Sequence, residues 1–289
     1  MNYNFFAQVR SDLKFRFKVI TKKTLSLVFS RFGFKISINS TNDFIVSRNI
    51  EEILSKIKIA NTIISIQKIN NVKFKEFIFN NIQYLDEGIQ VLWILFVFEC
   101  KENGYFVEFG ACDGLLFSNT KILEKDFGWK GILAEPNRSY GNQIVENRKV
   151  IIDKRAVWSK TGVSVEFAEV SAGGLSGIYS TFRRNKNDLD KRQSLGIKKY
   201  TVETVSLNDL LNEYKAPVNF DLLSIDTEGS EYEIIENFDL NKYRPKVICI
   251  EFDGTKFELN KFEKILSRYG YKSVGAEFSE ERNLWFMLD

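Results

Sequence analysis

The sequence predicts an α/β protein: a Rossmann-like, seven-stranded, mostly parallel sheet with an antiparallel last strand, preceded by a helical N-terminal extension. Three observations predict it. From residue 104, short apolar runs ("YFVEFG", "GILAEP", "KVIID", "FDLLSID", "KVICIEFD", "YKSVGAE", "LWFML") alternate with helix-length stretches, as strands of a sheet covered on both faces do. The last two runs are separated only by "FSEERN", too short for a crossover, so they form an antiparallel hairpin. Before residue 104, Ile53, Ile57, Ile59, Ile63 and Ile64 recur at helical spacing within residues 50 to 98 and read as helices covering the next domain.

The elements in order give three parts: a basic leader at 1–36, a helical region at 37–103, and a sheet domain at 104–289. The leader carries Arg10, Lys14, Arg16, Lys18, Lys22, Lys23, Arg31 and Lys35 against Asp12 alone, so its net charge is +7; the whole chain is at +3, which leaves −4 on the rest. No apolar h-region or cleavage site marks a signal peptide. The longest apolar run, "VLWILFVF" at 91–98, has eight residues, against roughly 20 for a spanning helix. The expected location is the cytoplasm. The leader, with Phe5, Phe6, Phe15 and Phe17, either touches an anionic membrane at its inner face or packs on the acidic domain. No nucleic-acid partner is expected.

Composition narrows the chemistry. The chain has 289 residues, 44% hydrophobic and 27% charged, and no histidine. That excludes Ser-His-Asp and Cys-His catalysis, histidine-ligated zinc and a histidine base; a base must be a carboxylate, lysine, tyrosine or cysteine. Cys100, Cys112 and Cys249 are scattered, without C-x-x-C spacing, and read as small buried hydrophobes in a reducing compartment.

Ligands bind beyond the carboxyl ends of the strands of an open parallel sheet. The first strand ends in "VEFGACDG", whose Gly110 and Gly114 let backbone approach a ligand. This is not the G-x-G-x-x-G of a pyrophosphate binder, and the acids Glu108 and Asp113 would repel phosphates; a cationic ligand without phosphates suits it better. The second strand ends in "GILAEPN", with Glu135 lying 21 residues after Gly114, near the spacing at which an acid grips ribose hydroxyls. Pro136 holds Glu135 extended. After the third strand, Ala156, Val157 and Trp158 either border an adenine ring or belong to the core.

These stretches resemble the FkbM family of S-adenosylmethionine-dependent methyltransferases. The resemblance runs from about residue 104 to 289 and rests on "FVEFGACDG", "SNT" (118–120), "GWKGILAEPN", "SGI" (176–178), "TVSLNDLL", "DLLSIDTEGSE" and "ICIEF", all in this order. It implies a class I methyltransferase fold and O-methylation, often of sugar hydroxyls on glycans or glycosylated metabolites. It also places the glycine loop (Glu108, Gly110, Ala111, Asp113, Gly114), with Asn119, at the methionine part of the cofactor, and Glu135 and Pro136 at its ribose. Ala156 and Val157 complete the cofactor set.

On the acceptor side, "TVSLNDLLNEY" fits a helix N-cap at Ser206 with Asp209 three residues on, a capping-box variant and so architecture. Residues 171–196 lack periodicity and carry Arg183, Arg184, Lys191 and Arg192. They read as a substrate lid or a solvated insertion. As a lid, Arg183 and Arg184 would engage a phosphate or carboxylate of the acceptor. "SIDTEGSEYEII" puts Asp226, Glu228 and Glu231 at the end of the fourth strand, and the fifth brings Glu251 and Asp253 to the same rim. Glu231 suits a helix N-terminus, whereas Asp226 faces the substrate. Either Asp226, Glu228, Glu251 and Asp253 hold Mg²⁺ or Ca²⁺, or, without metal, Asp226 takes the proton or orients the hydroxyl while Glu228 and Glu251 grip neighbouring sugar hydroxyls, with Asp253 also on the substrate side. Because no complete metal-loop motif is present, the second is preferred. Two rival classes remain: a non-catalytic, membrane-associated interaction protein keeping the fold, and a dinucleotide enzyme, which would need the missing glycine fingerprint.

Overall fold

The computed structural model describes residues 71–289, apart from 116, 172–173, 183–185, 253–255 and 275–282. The basic leader, the helical positions at 53–64, Arg183, Arg184 and Asp253 lie outside the described residues. Among the described residues, no helix is long and apolar enough to cross a membrane.

The expected sheet forms. Its parallel strands are β1 (Tyr105–Phe109), β2 (Lys130–Ala134), β3 (Ile151–Asp153), β8 (Leu222–Ile225) and β9 (Val247–Glu251). The closing hairpin is β10 (Tyr271–Val274) and β11 (Asn283–Leu288), and the order across the sheet is β10-β11-β9-β8-β1-β2-β3. β11 runs antiparallel to both β9 and β10. The order reverses between β1 and β8, the switch point at which such sheets open a binding crevice.

Alternation along each strand sorts side chains between two cores. Val107, Phe109, Leu223, Ile225, Ile248 and Ile250 join one core, under α7 (Leu207–Glu213), α8 (Glu231–Glu236) and α9 (Lys256–Leu266). Phe106, Leu222, Val247 and Cys249 face the other way. There they meet Phe74 and Ile78 of α1 (Val72–Asn80) and Leu92 and Ile94 of α2 (Ile89–Val97), with α3 (Lys121–Phe127) and α4 (Gln143–Asn147) beside them. The described part of the N-terminal extension thus supplies one face of the domain's own core. The run "VLWILFVF" is buried in α2 rather than in a membrane. Helix α7 starts as expected: the Ser206 hydroxyl accepts from the Asp209 amide at 3.1 Å and donates to the Asp209 carboxylate at 2.8 Å.

A second sheet was not expected. Strands β4 (Ala156–Trp158), β5 (Ser164–Val170), β6 (Gly177–Ile178) and β7 (Ile197–Ser206) form it in the order β4-β7-β5-β6. Its long strands are half exposed, with Glu166, Lys198, Lys199 and Glu203 turned to solvent. They therefore lack the continuous apolar runs by which buried parallel strands are recognised. The stretch 171–196 is likewise more than an unstructured insertion. It contains β6, the short helix α5 (Tyr179–Phe182) and α6 (Lys186–Ser194). Leu189, Leu195 and Ile197 pack with Phe182 and Leu175 in a small core of their own.

Candidate active site

A cleft of about 630 Å³, its open mouth included, lies where the strands end. Phe109, Gly110, Ala134, Glu135, Pro136, Ala156 and Val157 line one part, and Asp226, Thr227, Glu228 and Ser230 another. Phe167, Ser176 and Ile178 of the second sheet and its connections form the facing wall. The two rims meet at Gly110, which has φ +81; a Cβ there would sit 1.8 Å from the Asp226 carbonyl oxygen. Only glycine permits this approach.

Glu135 is 6% exposed. Its two oxygens accept from the Cys112 amide at 2.9 Å and the Asn137 amide at 2.8 Å. Burial pushes its carboxyl up to about 7, against the pull of those two amides. Each oxygen keeps a lone pair for a further donor. Tyr140 also borders the cleft, and burial holds its hydroxyl well above the usual phenol range. Asn137 ties this rim to the facing wall by donating to the Ser176 hydroxyl at 3.2 Å.

The cofactor set expected from sequence divides. Gly110, Glu135, Pro136, Ala156 and Val157 line the cleft; Trp158 does not, and packs instead on the second sheet's core. Glu108 is not a lining residue either. It points to the opposite face of β1, is 2% exposed, and accepts from Ser118 Oγ (2.7 Å), the Asn119 amide (2.6 Å) and Thr120 Oγ1 (2.6 Å). It therefore shapes the loop from behind, and Arg148 lies 3.9 Å away. Asn119 joins the same group, its side chain donating to Ser224 Oγ at 3.3 Å. Ala111 is buried in the core shared with α1 and α2. Asp113 accepts from the Leu115 amide at 2.9 Å, closing the turn. Gly114 (φ +82) lies against Arg148, whose Cγ would be 2.7 Å from a Cβ, and its carbonyl accepts from Arg148 Nη1 at 3.2 Å. These residues hold the loop in place behind the cleft.

At the other rim, Asp226, Glu228 and Glu251 come together, each offering one carboxylate oxygen within 4.8 Å of the others. Glu228 also accepts from Arg192 Nη2 of α6 at 2.8 Å. Glu231 turns back into its own loop. It begins α8, at the helix N-terminus expected of it, but its side chain accepts from the Thr227 amide (2.8 Å), the Thr227 hydroxyl (3.0 Å) and the Gly229 amide (3.0 Å) and so organises the preceding loop. Burial raises its carboxyl to about 7, with nearby Glu251 adding to the shift.

Residues 108–273 match the family described as Methyltransferase FkbM domain. The chain belongs to this FkbM family. No curated protein matches it. A structure of methyltransferase FkbM from Methylobacillus flagellatus is similar at 12% identity and TM-score 0.41, over 80% of this chain and 58% of that one. The chain thus spans little more than half of that relative's length. A precorrin-6y C5,15-methyltransferase from Geobacter metallireducens matches at 13% identity and TM-score 0.35, over 68% and 86% of the two chains. A mutant of MtNAS in complex with S-adenosylmethionine matches at 7% identity and TM-score 0.33, over 100% and 92%. Within the FkbM match lie residues missed from sequence as parts of the cleft: Cys112, Tyr140, Phe167 and Asn137. The signal for Asn137 was the "EPN" that follows β2. Ser176 and Ile178 were legible in "SGI" only as a resemblance, because the strand that begins after Ser176 is two residues long.

Proposed function

We propose that this protein is an S-adenosylmethionine-dependent O-methyltransferase acting on a hydroxyl of a sugar, in a glycan or a glycosylated metabolite. One observation carries the reading: a single cleft runs from Glu135 at the end of β2 to Asp226 at the end of β8. The donor set suits the cofactor. Glu135 has lone pairs for ribose hydroxyls, Ala156, Val157, Phe167 and Ile178 are apolar walls for a purine, and Gly110 leaves room between the rims. The carboxylates of Glu135, Asp226 and Glu228 in the lining suit a sulfonium.

When bound, the cofactor supplies a methyl group on a sulfonium centre. The chain's own residues then have three tasks. Glu135 and the Gly110 turn would hold and orient the donor, the acid rim would position the acceptor oxygen, and Asp226 would take the hydroxyl proton. Glu251 offers an acceptor for a neighbouring sugar hydroxyl. A second reading has the proximity of Asp226, Glu228 and Glu251 in its favour: these hard oxygen donors would hold Mg²⁺ or Ca²⁺ and so acidify the hydroxyl. The metal-free reading is preferred because Arg192 already supplies positive charge to Glu228.

Isothermal titration of the full chain with S-adenosylmethionine and with NAD is the first test: binding of the former alone is expected, and binding of NAD alone sinks the reading. Transfer of labelled methyl to a panel of glycans then reports chemistry. Asp226→Asn should cut turnover by about 10²–10⁴ and leave S-adenosylhomocysteine affinity unchanged; full turnover in this variant removes Asp226 from the mechanism. Activity lost to EDTA and restored by Mg²⁺ would favour the metal. Membrane contact through residues 1–36 is a separate proposal. It fails if full-length and Δ1–36 protein sediment equally with anionic vesicles.

A further inference from the structure

Helix α6 carries a side chain that reaches the acid rim. Arg192 is 6% exposed, although its helix is otherwise strongly polar. Its Nε donates to Asp188 one turn back at 2.7 Å, Nη1 donates to the Leu175 carbonyl, and Nη2 donates to Glu228 at 2.8 Å. The guanidinium also lies 4.1 Å over the Phe182 ring. Its partner side chain, Glu228, is 8% exposed and sits at φ +60, a left-handed conformation unusual for a residue with a side chain.

The surrounding backbone is interlocked. A Cβ at Gly177 would lie 3.0 Å from the Thr227 carbonyl. The Thr181 hydroxyl, which donates to the Ile178 carbonyl at 2.7 Å, lies 3.4 Å from the Glu228 carbonyl. Residues 177–182, with Arg192, and the loop 226–231 therefore meet through close main-chain packing and one sealed ion pair. A buried pair of this kind contributes little net stability but is costly to break on one side only. Such a contact fixes an arrangement more than it strengthens a fold.

We propose that Arg192 is a positioning residue. By holding Glu228 it keeps that carboxylate from the reacting hydroxyl and sets the loop from which Asp226 projects, so that α6 acts as the back wall of the acceptor site. The catalytic meaning of this arrangement rests on the methyl-transfer reading; the coupling of α6 to the loop does not.

Hydrogen exchange of the full chain tests the coupling. Arg192→Met should speed exchange in both 186–194 and 226–231 by about tenfold or more, the effect of about 1.4 kcal/mol, while β1 and β2 stay unchanged. Glu228→Gln should loosen the same two segments. The double variant should be no faster than the more affected single one, and Arg192→Lys should recover part of the protection. Loosening confined to 186–194, or single effects that multiply in the double variant, would overturn the proposal. Should Arg192→Met fail to fold, Glu228→Gln decides, and unchanged exchange at 186–194 overturns it. S-adenosylhomocysteine titration of the same wild-type sample keeps the two readings apart: absent binding defeats the cofactor assignment and leaves the exchange result standing.

Discussion

The loops after β1 and β8 solve the same problem with different electrostatics. Each follows a buried strand, contains glycine at positive φ, and gathers its own donors onto one buried carboxylate. Glu108 collects Ser118, Asn119 and Thr120; Glu231 collects Thr227 and Gly229. Behind the first loop stands Arg148, bonded to Glu124 at 2.5 Å, Ser118 at 2.7 Å and Thr120 at 2.9 Å. Burial raises the carboxyl of Glu231 to about 7, and its neighbour there, the acid Glu251, adds to the shift. The comparison teaches that a loop-organising carboxylate can be stabilised by a countercharge or can hold its proton near neutrality. The second loop should then respond to pH.

The largest test is aimed at the countercharge. Arg148→Met leaves Glu108 and Glu124 without their cation, and urea denaturation should show a loss of about 3–5 kcal/mol. A loss below 1 kcal/mol would mean that the loop's own donors suffice and the two loops are alike. Gly110→Ala attacks the place where the loops touch. The added methyl meets the Asp226 carbonyl at a strained φ, and a destabilisation of about 2–4 kcal/mol with weaker S-adenosylhomocysteine binding should follow. Normal stability would show that the rims can part.

Glu231 sharpens the contrast through pH. Its folded value, about 7, lies above the ordinary 4.5. The folded state therefore keeps a proton that the unfolded chain has lost, and stability from this group falls as pH rises from about 4.5 to about 7. Relative to Glu231→Gln, wild type should lose up to about 3 kcal/mol across that window; parallel stability curves would refute it. The smallest expected effect concerns ligand rather than fold. Glu135→Ala should weaken S-adenosylhomocysteine by at least about tenfold, one lost charge-assisted hydrogen bond. Unchanged affinity by titration would remove Glu135 from the ribose.

The seven-stranded sheet was legible because its strands are buried on both faces, and strand ends then located Gly110, Glu135 and Asp226. The direction of Glu108 was not, because β1 is apolar on both sides and nothing in "YFVEF" says which side α1 and α2 cover. The second sheet escaped because "SVEFAEV" and "IKKYTVETVS" alternate with charges, as half-exposed antiparallel strands do. Arg192 was read only as part of a basic pair. Its burial depends on Leu175, Phe182 and Glu228, which are distant in sequence and carry no shared pattern.

Gly110 has one more consequence. On the methyl-transfer reading, the gap between donor and acceptor halves of the cleft is set by a main-chain carbonyl resting on a Cα, with no side chain as spacer. Substitutions elsewhere on the walls can therefore alter which molecule is admitted without resetting the distance over which a methyl group travels. For anyone redesigning the cleft, Ser176 and Ile178 are adjustable surfaces, whereas the Gly110–Asp226 contact is the gauge against which they are cut.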